Sequence, residues 1–202
     1  MPFRIRCHWG SIASFRGKAA KGVYDYMKTR QLALDAMLAA MCAVLGAVSL
    51  DFGNLKVTLE SLPIILGAAM FGPLDGVAIG FVGTLIYQLL RYGVSVTTLL
   101  WMLPYCVCGL IVGWYAKRHD CGRPSAKTLC IVVAAELAVT ALNTGVLYID
   151  SLVYGYYSAV YVFGTLLPRL ILCVCKALVM GAVLPMLVSA LRRVGFSVAK
   201  SR

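Results

Sequence analysis

The sequence predicts an all-α integral membrane protein with six transmembrane helices and both termini in the cytoplasm. Two observations support this fold class: 61% of the 202 residues are hydrophobic, and only 13% are charged. A soluble domain has about 45–50% apolar and about 25% charged residues, and a disordered chain is poor in apolar residues. The composition therefore excludes an ordinary soluble enzyme and a disordered chain.

Six apolar runs are the candidate helices, because a helix needs about 20 mostly apolar residues to cross a bilayer. The second run is short and contains Pro63, so we expect it to be tilted or partly re-entrant. Gly72-Pro73 separates it from the third run, since proline lacks the amide hydrogen that a helix interior uses. The predicted spans are 31–50, 59–71, 74–90, 96–116, 127–147 and 163–191.

The basic residues lie mainly on one side of these spans, and the net charge is +11. They precede the first span, separate the fourth from the fifth and follow the sixth, whereas the opposite loops hold only Lys56 and Arg91. The positive-inside rule then puts both termini in the cytoplasm of a prokaryotic cell. We expect a basic N-terminal segment at 1–30, a membrane domain at 31–192 and a basic tail at 193–202, and no nucleic-acid partner.

Polar side chains recur at helical spacing inside the spans. In the third span Thr84, Tyr87, Gln88 and Arg91 follow the spacing i, i+3, i+4, i+7, which places them on one helix face. Polar groups are costly in a bilayer and usually face the bundle interior. Most of them lie toward the outer ends of their spans, so the pattern predicts an outward-opening pocket for a small polar molecule that is anionic and aromatic. The other spans add Glu60, Trp101, Glu136, Asn143, Arg169 and Lys176.

Each of these side chains also has a structural interpretation. Arg91 and Arg169 are compatible with interfacial anchoring, and Trp101 is compatible with an aromatic belt. Asn143 fits an interhelical hydrogen bond, and Glu136 fits an ion pair with Lys176 across the bundle. We expect no metal site and no cofactor, because cysteines two residues apart on a helix point about 200° away from each other. The sequence also has no phosphate-binding loop for ATP hydrolysis.

The first span carries small residues four positions apart. Ala36 and Ala40 form one row, and Ala39 and Ala43 belong to another. Small residues at this spacing let a second helix approach closely. The rows indicate either packing within the bundle or a docking face for a partner subunit.

Two segments resemble a known family. Leu62-Pro63-Ile64 followed by Phe71-Gly72-Pro73 and Gly76 resembles the signature of the second and third helices in the S components of energy-coupling factor (ECF) vitamin transporters. Ala36-x-x-x-Ala40 resembles the motif by which S components dock on a transmembrane coupling subunit. The resemblance covers about 30–192, and it implies an S-component-like bundle that works with that subunit and two cytoplasmic ATPases.

Further residues resemble the folate-specific branch of that family, namely Leu142-Asn143-Thr144 and Pro168-Arg169-Leu170. The resemblance implies capture of a vitamin, folate first and another vitamin as the alternative, with no covalent chemistry. Its arginines would neutralise carboxylates, its amides would bind a heterocycle, and its aromatic rings would stack on it. The expected substrate-binding residues are Glu60, Tyr87, Gln88, Arg91, Trp101, Asn143, Arg169 and Lys176, and the expected docking residues are Ala36, Ala39, Ala40 and Ala43.

Two other classes stay open at this point. One is a membrane-embedded enzyme that acts on a lipid-linked substrate with Glu136 as its acid or base. The other is an assembly factor that binds its partners through the small-residue rows of the first span. The enzyme hypothesis is weakened because no second catalytic group shares the helix face of Glu136. The assembly-factor hypothesis does not explain why polar residues converge at the outer ends of the spans.

Overall fold

A computed structural model describes residues 29–52, 55–122, 124–158, 164 and 166–194. The chain divides into two compact units, Met1–Leu34 and Asp35–Arg202. Within the first unit only residues 29–34 are described, and they begin the first helix. The rest of the expected basic N-terminal segment and the tail beyond residue 194 lie outside the described residues.

The described residues form six helices, which confirms the all-α membrane fold. Five of them are long and apolar enough to cross a membrane, and the second is shorter. The helices are α1 (Thr29–Ala47), α2 (Ser61–Phe71), α3 (Pro73–Tyr92), α4 (Thr98–Arg118), α5 (Ala126–Val153) and α6 (Leu166–Arg193).

Helix α2 is short and buried. Its 11 residues span about 16 Å, roughly half of a hydrocarbon core. Ile64, Ala68 and Met70 are at most 1% exposed, as expected of a helix that is apolar on all sides. Pro63 sits in the first turn, where its missing amide hydrogen has no helical partner to lose. Gly72, with a φ of 115°, ends the helix before Pro73 opens α3.

Most boundaries shift by one to three residues from the predicted spans, and two of the differences have a structural explanation. Helix α1 ends at Ala47, and the apolar run continues into a short antiparallel hairpin of β1 (Leu50–Phe52) and β2 (Leu55–Val57). Leu50 lies opposite Val57 in this hairpin. Apolar content alone does not separate the end of a membrane helix from a strand that follows it directly, so the predicted span ran three residues too far.

Helix α5 continues to Val153, six residues beyond the predicted end at Leu147. The acidic residue Asp150 made this stretch resemble a loop in the sequence. In the fold, the Asp150 carboxylate accepts a hydrogen bond from the Thr97 hydroxyl, so the helix continues past it.

Glycines bring α3 and α4 into close contact. A Cβ added at Gly109 would lie 2.5 Å from the carbonyl carbon of Gly76, and one at Gly113 would lie 2.4 Å from the Cα of Pro73. A Cβ at Gly80 would lie 3.0 Å from the carbonyl oxygen of Tyr105. These glycines follow the four-residue spacing that lets helix backbones approach closely. The contact fixes the faces of α3 and α4 that carry Tyr87 and Tyr105.

The interior divides into two halves. The basic half is the one in which α4 ends at Arg118, α5 begins at Ala126 and α6 ends at Arg193, and its core is apolar. The polar half contains the end of α3 and the start of α4, and most of the buried polar side chains lie there. They include Thr58, Glu60, Ser61, Gln88, Thr97, Thr98 and Ser151.

Candidate ligand-binding site

Glu60 is a buried carboxylate at the start of α2, and its residue is 2% exposed. Its Oε1 accepts a hydrogen bond from the Thr58 hydroxyl at 3.1 Å and another from the Tyr105 hydroxyl. A buried charge is tolerated only when hydrogen bonds compensate it, and an acidic group at a helix N-terminus is also favoured by the helix dipole. Glu60 therefore provides a buried carboxyl group that accepts hydrogen bonds inside the bundle.

Four helices meet around this carboxylate. A Cβ added at Gly46 of α1 would lie 2.6 Å from Glu60 Oε2 and 3.0 Å from Cγ of Tyr87 on α3. Tyr87 is 2% exposed, and its hydroxyl donates to the Tyr92 hydroxyl at 3.4 Å. Its ring also meets the Tyr92 ring edge to face. With Tyr105 from α4, the aromatic and acidic groups form one cluster.

A second cluster adjoins the first in the middle of the bundle. Lys176 Nζ lies 2.7 Å from Oε2 of Glu136, and it also donates to the Ser61 hydroxyl at 3.3 Å. Ser61 directly follows Glu60 in the chain, and its hydroxyl donates to the sulfur of Met180 at 3.7 Å. The ion pair with Glu136, one of the two interpretations of Lys176, is present. A fully buried, ion-paired Glu136 is poorly suited to act as an acid or base.

The pairing corrects the expected depth of Lys176. At about 1.5 Å rise per residue, the sequence predicts Asn143 roughly 24 Å above Lys127 and Lys176 roughly 24 Å above Arg192, and so at similar depth. The partner of Lys176, Glu136, lies seven residues nearer the basic end of α5. That difference is about 10 Å along the helix. The count assumed parallel helices and ignored the length of the lysine side chain.

The face predicted on α3 is largely buried. Thr84 is fully buried, and Gln88 is 7% exposed next to Tyr87. Arg91 continues the face but is exposed, and it donates to the carbonyl oxygen of Ala47 at 3.3 Å. Arg91 therefore joins the ends of α1 and α3, whereas Gln88 is buried.

Three further predicted residues are half-buried in the polar half. Trp101 lies in the first turn of α4, and Arg169 lies in the first turn of α6. Asn143 on α5 has a buried Oδ1 with no hydrogen-bond partner among the described residues. The structure thus brings Glu60 and Tyr87 together beside Gly46, and it places Lys176 against Ser61, the residue that follows Glu60.

Asp150 is a polar residue that the sequence analysis missed. Its carboxylate accepts hydrogen bonds from the hydroxyls of Thr97, just before α4, and of Tyr156, just after α5. Asp150 follows Asn143 by seven residues and so shares its helix face. Extending the fifth predicted span by one turn would have revealed it.

The two alanine rows of α1 are adjacent on the helix surface, about 60° apart, but they differ in exposure. Ala39 and Ala43 are each 5% exposed, and a Cβ at Gly83 would lie 2.9 Å from the carbonyl oxygen of Ala39. This row packs inside the bundle against α3. Ala36 and Ala40 are exposed, so the outward row consists of these two.

The basic end is held by a different ion pair. Arg192 at the end of α6 donates to both carboxylate oxygens of Asp120, and the backbone N–H of Gly122 donates to the same carboxylate at 3.0 Å. Burial, with the neighbouring charge of Asp120, raises the pKa of Cys121 to about 11. That thiol therefore stays protonated at neutral pH. Among the described residues, no group of three His, Cys, Asp or Glu side chains is placed to hold a metal ion.

Comparison with known proteins gives two results. A family model described as "ECF-type riboflavin transporter, S component" matches residues 26–193, a range that includes all six described helices. Two UPF0397 proteins from Streptococcus thermophilus, strains LMD-9 and CNRZ 1066, are each 30% identical to the chain over 69 residues. The aligned part is 34% of this chain and 37% of each relative, so the chain spans little more than a third of the length of these relatives.

Proposed function

The chain belongs to the ECF-type riboflavin transporter S component family, and from this premise we propose that it captures riboflavin from outside the cell as the substrate-binding subunit of an ECF importer. The family is a transporter component and not an enzyme. The protein would carry its ligand across the membrane without changing the ligand's covalent bonds.

The buried cluster around Glu60 carries this proposal. Riboflavin is uncharged at neutral pH, and it combines a flat aromatic ring system with a chain of hydroxyl groups. Glu60 is a buried anionic acceptor suited to such hydroxyls, because hydrogen bonds to a charged group are worth about 1.5–3 kcal/mol. Tyr87 and Tyr105 supply the aromatic surface beside it. The buried amide oxygen of Asn143, which has no hydrogen-bond partner among the described residues, would add a second polar contact.

Folate is the second candidate. Asn143 and Arg169 lie in the segments that resemble the folate-specific branch, and Arg91 and Arg169 would neutralise the carboxylates of folate. The buried carboxylate of Glu60 argues for riboflavin instead, since it would repel those carboxylates at short range. Trp101, Gln88 and Lys176 would contribute to either site.

Binding selectivity tests the proposal. The purified chain in lipid nanodiscs is titrated with radiolabelled riboflavin, with unlabelled riboflavin and folate as competitors. We expect saturable binding below 1 μM, about −8.2 kcal/mol, displaced by riboflavin and not by folate. Displacement by folate alone would establish the second candidate. Failure of a folded protein to bind either vitamin would contradict the proposal.

The partners would be a transmembrane coupling subunit and two cytoplasmic ATPases, with both termini of this chain in the cytoplasm. The exposed residues Ala36 and Ala40 are the proposed contact with the coupling subunit, because small side chains permit close helix approach. For a double variant with Ala36→Leu and Ala40→Leu, the amount of coupling subunit that co-purifies should fall at least tenfold. Its affinity for riboflavin should not change. Val179→Leu, an enlargement on the exposed face of α6, is the matched control. Undiminished co-purification of the double variant would disprove this docking face.

A further inference from the structure

A groove runs between α4 and α5 in the basic half, outside the polar clusters. It is a shallow groove, open at the surface, with a volume of about 460 Å³, and it is lined by Tyr115, Ala126, Lys127, Cys130, Ile131 and Ala134. Apart from the lysine ammonium and the tyrosine hydroxyl, the side chains that line it are apolar.

The groove opens away from the bundle interior. Ala126, Cys130 and Ala134 are all exposed, and their four-residue spacing places them in one row along α5. Their small side chains leave space between the larger side chains of Tyr115 and Ile131. Tyr115 is held in place by a stacked contact with His119, with ring centroids 4.6 Å apart. Because α4 and α5 are both long enough to cross a membrane, this row faces the acyl chains of the bilayer.

One end of the groove carries positive charge. Lys127 is the second residue of α5, and it is exposed beside the apolar row. Lys117 and Arg118, also exposed, end α4 at the same side of the bundle. The charge bias of the loops places this side in the cytoplasm, where the membrane leaflet is rich in anionic lipid. A cation at the mouth of an apolar groove complements a molecule with an anionic head and an apolar tail.

We propose that this groove binds an anionic phospholipid of the inner leaflet, with one acyl chain along Ala126, Cys130 and Ala134 and the phosphate paired with Lys127. The site is separate from the vitamin site, and its existence does not depend on the proposed transport function. It would fix α4 and α5 to the inner leaflet at the basic end.

Native mass spectrometry of the delipidated full chain tests the head-group contact. Dioleoyl phosphatidylglycerol and dioleoyl phosphatidylcholine are the probes, because they share their acyl chains and differ in net charge. We expect the wild type to retain phosphatidylglycerol at least fivefold better, and Lys127→Gln to lose this preference. Lys117→Gln is the matched control, since Lys117 lies toward Gly72 and should leave the preference intact. Equal retention of both lipids by the wild type, or an unchanged preference in Lys127→Gln, would overturn the proposal.

Alkylation of two exposed cysteines tests the position of the acyl chain. Cys130 lines the groove, whereas Cys175 is exposed on α6 away from it. Phosphatidylglycerol should slow the reaction of Cys130 with N-ethylmaleimide at least fivefold, phosphatidylcholine should not, and Cys175 should be unaffected by either. Lipid binding without protection of Cys130 would place the lipid elsewhere. Protection of Cys130 that requires a second protein chain in the mass spectrum, with no lipid bound, would assign the groove to a protein partner; both outcomes refute the proposal.

Discussion

Two ion pairs among the described residues differ in how far their side chains are exposed to solvent. In the middle of the bundle, Lys176 pairs with Glu136, and the side chains are 16% and 0% exposed. At the basic end, Arg192 pairs with Asp120, and the side chains are 35% and 48% exposed. An ion pair between a basic side chain and a carboxylate therefore occurs once inside the bundle and once at its surface.

The difference in exposure means that the interior pair costs desolvation free energy, whereas the surface pair costs little. Burying two charges carries a desolvation penalty that apolar residues of the same volume avoid, and an exposed pair contributes little either way. The interior pair adjoins Ser61 and Glu60 and belongs to the proposed vitamin site. The exposed pair only joins the end of α6 to the loop between α4 and α5. The interior pair thus adjoins the proposed site, and the surface pair attaches the end of α6 to the loop before α5.

The largest expected effect comes from breaking the interior pair. Lys176→Met should lower the free energy of unfolding by about 3–5 kcal/mol, because it leaves Glu136 charged and uncompensated. Thermal unfolding in a fixed detergent measures the change. The double variant with Glu136→Gln should recover most of the loss. A single variant as stable as the wild type would show that the pair is not formed in the membrane.

A smaller effect is expected from the packing of the basic half, which depends on close contact and not on charge. Gly109→Val should cost about 1–3 kcal/mol in unfolding free energy, since the new side chain would overlap the backbone of Gly76. Gly145→Val is the control, because nothing lies within 4 Å of a Cβ at that position. Equal stability of the two variants would contradict the close approach of α3 and α4.

The smallest effect is expected from breaking the surface pair. Asp120→Asn should change the free energy of unfolding by about 1 kcal/mol or less, and any loss should shrink as salt is raised, since exposed charges are screened. Unfolding curves at low and high salt measure this. A loss as large as that of Lys176→Met would remove the contrast between the two pairs.

Much of the fold could be predicted from the sequence, because long apolar runs and the Gly72-Pro73 break determine where membrane helices begin and end. The buried face of Thr84, Tyr87 and Gln88 also followed from helical spacing. The hairpin after α1 could not be predicted, because an apolar run continues into it. The orientation of the alanine rows could not be predicted either, since two rows on one helix look equivalent until the neighbouring helix is placed.

The site was predicted only in part for the same reason. Spacing along one helix identifies a polar face, but it does not pair that face with a partner on another helix. The ion pair between Glu136 and Lys176 was therefore only one of the interpretations that the sequence allowed, and the structure shows that it forms. Tyr105 was visible on a face of the fourth span, but its bond to Glu60 appears only once α2 and α4 are packed together.

The most direct test of the account is the dissociation constant of riboflavin for Glu60→Gln and Asp120→Asn, measured side by side with the wild type in nanodiscs. Each variant neutralises one carboxylate without changing its size, one in the interior and one at the basic end. The account predicts at least tenfold weaker binding for Glu60→Gln, about 1.4 kcal/mol, and less than a twofold change for Asp120→Asn. Wild-type affinity in a folded Glu60→Gln protein would contradict the claim that the buried cluster around Glu60 holds the ligand.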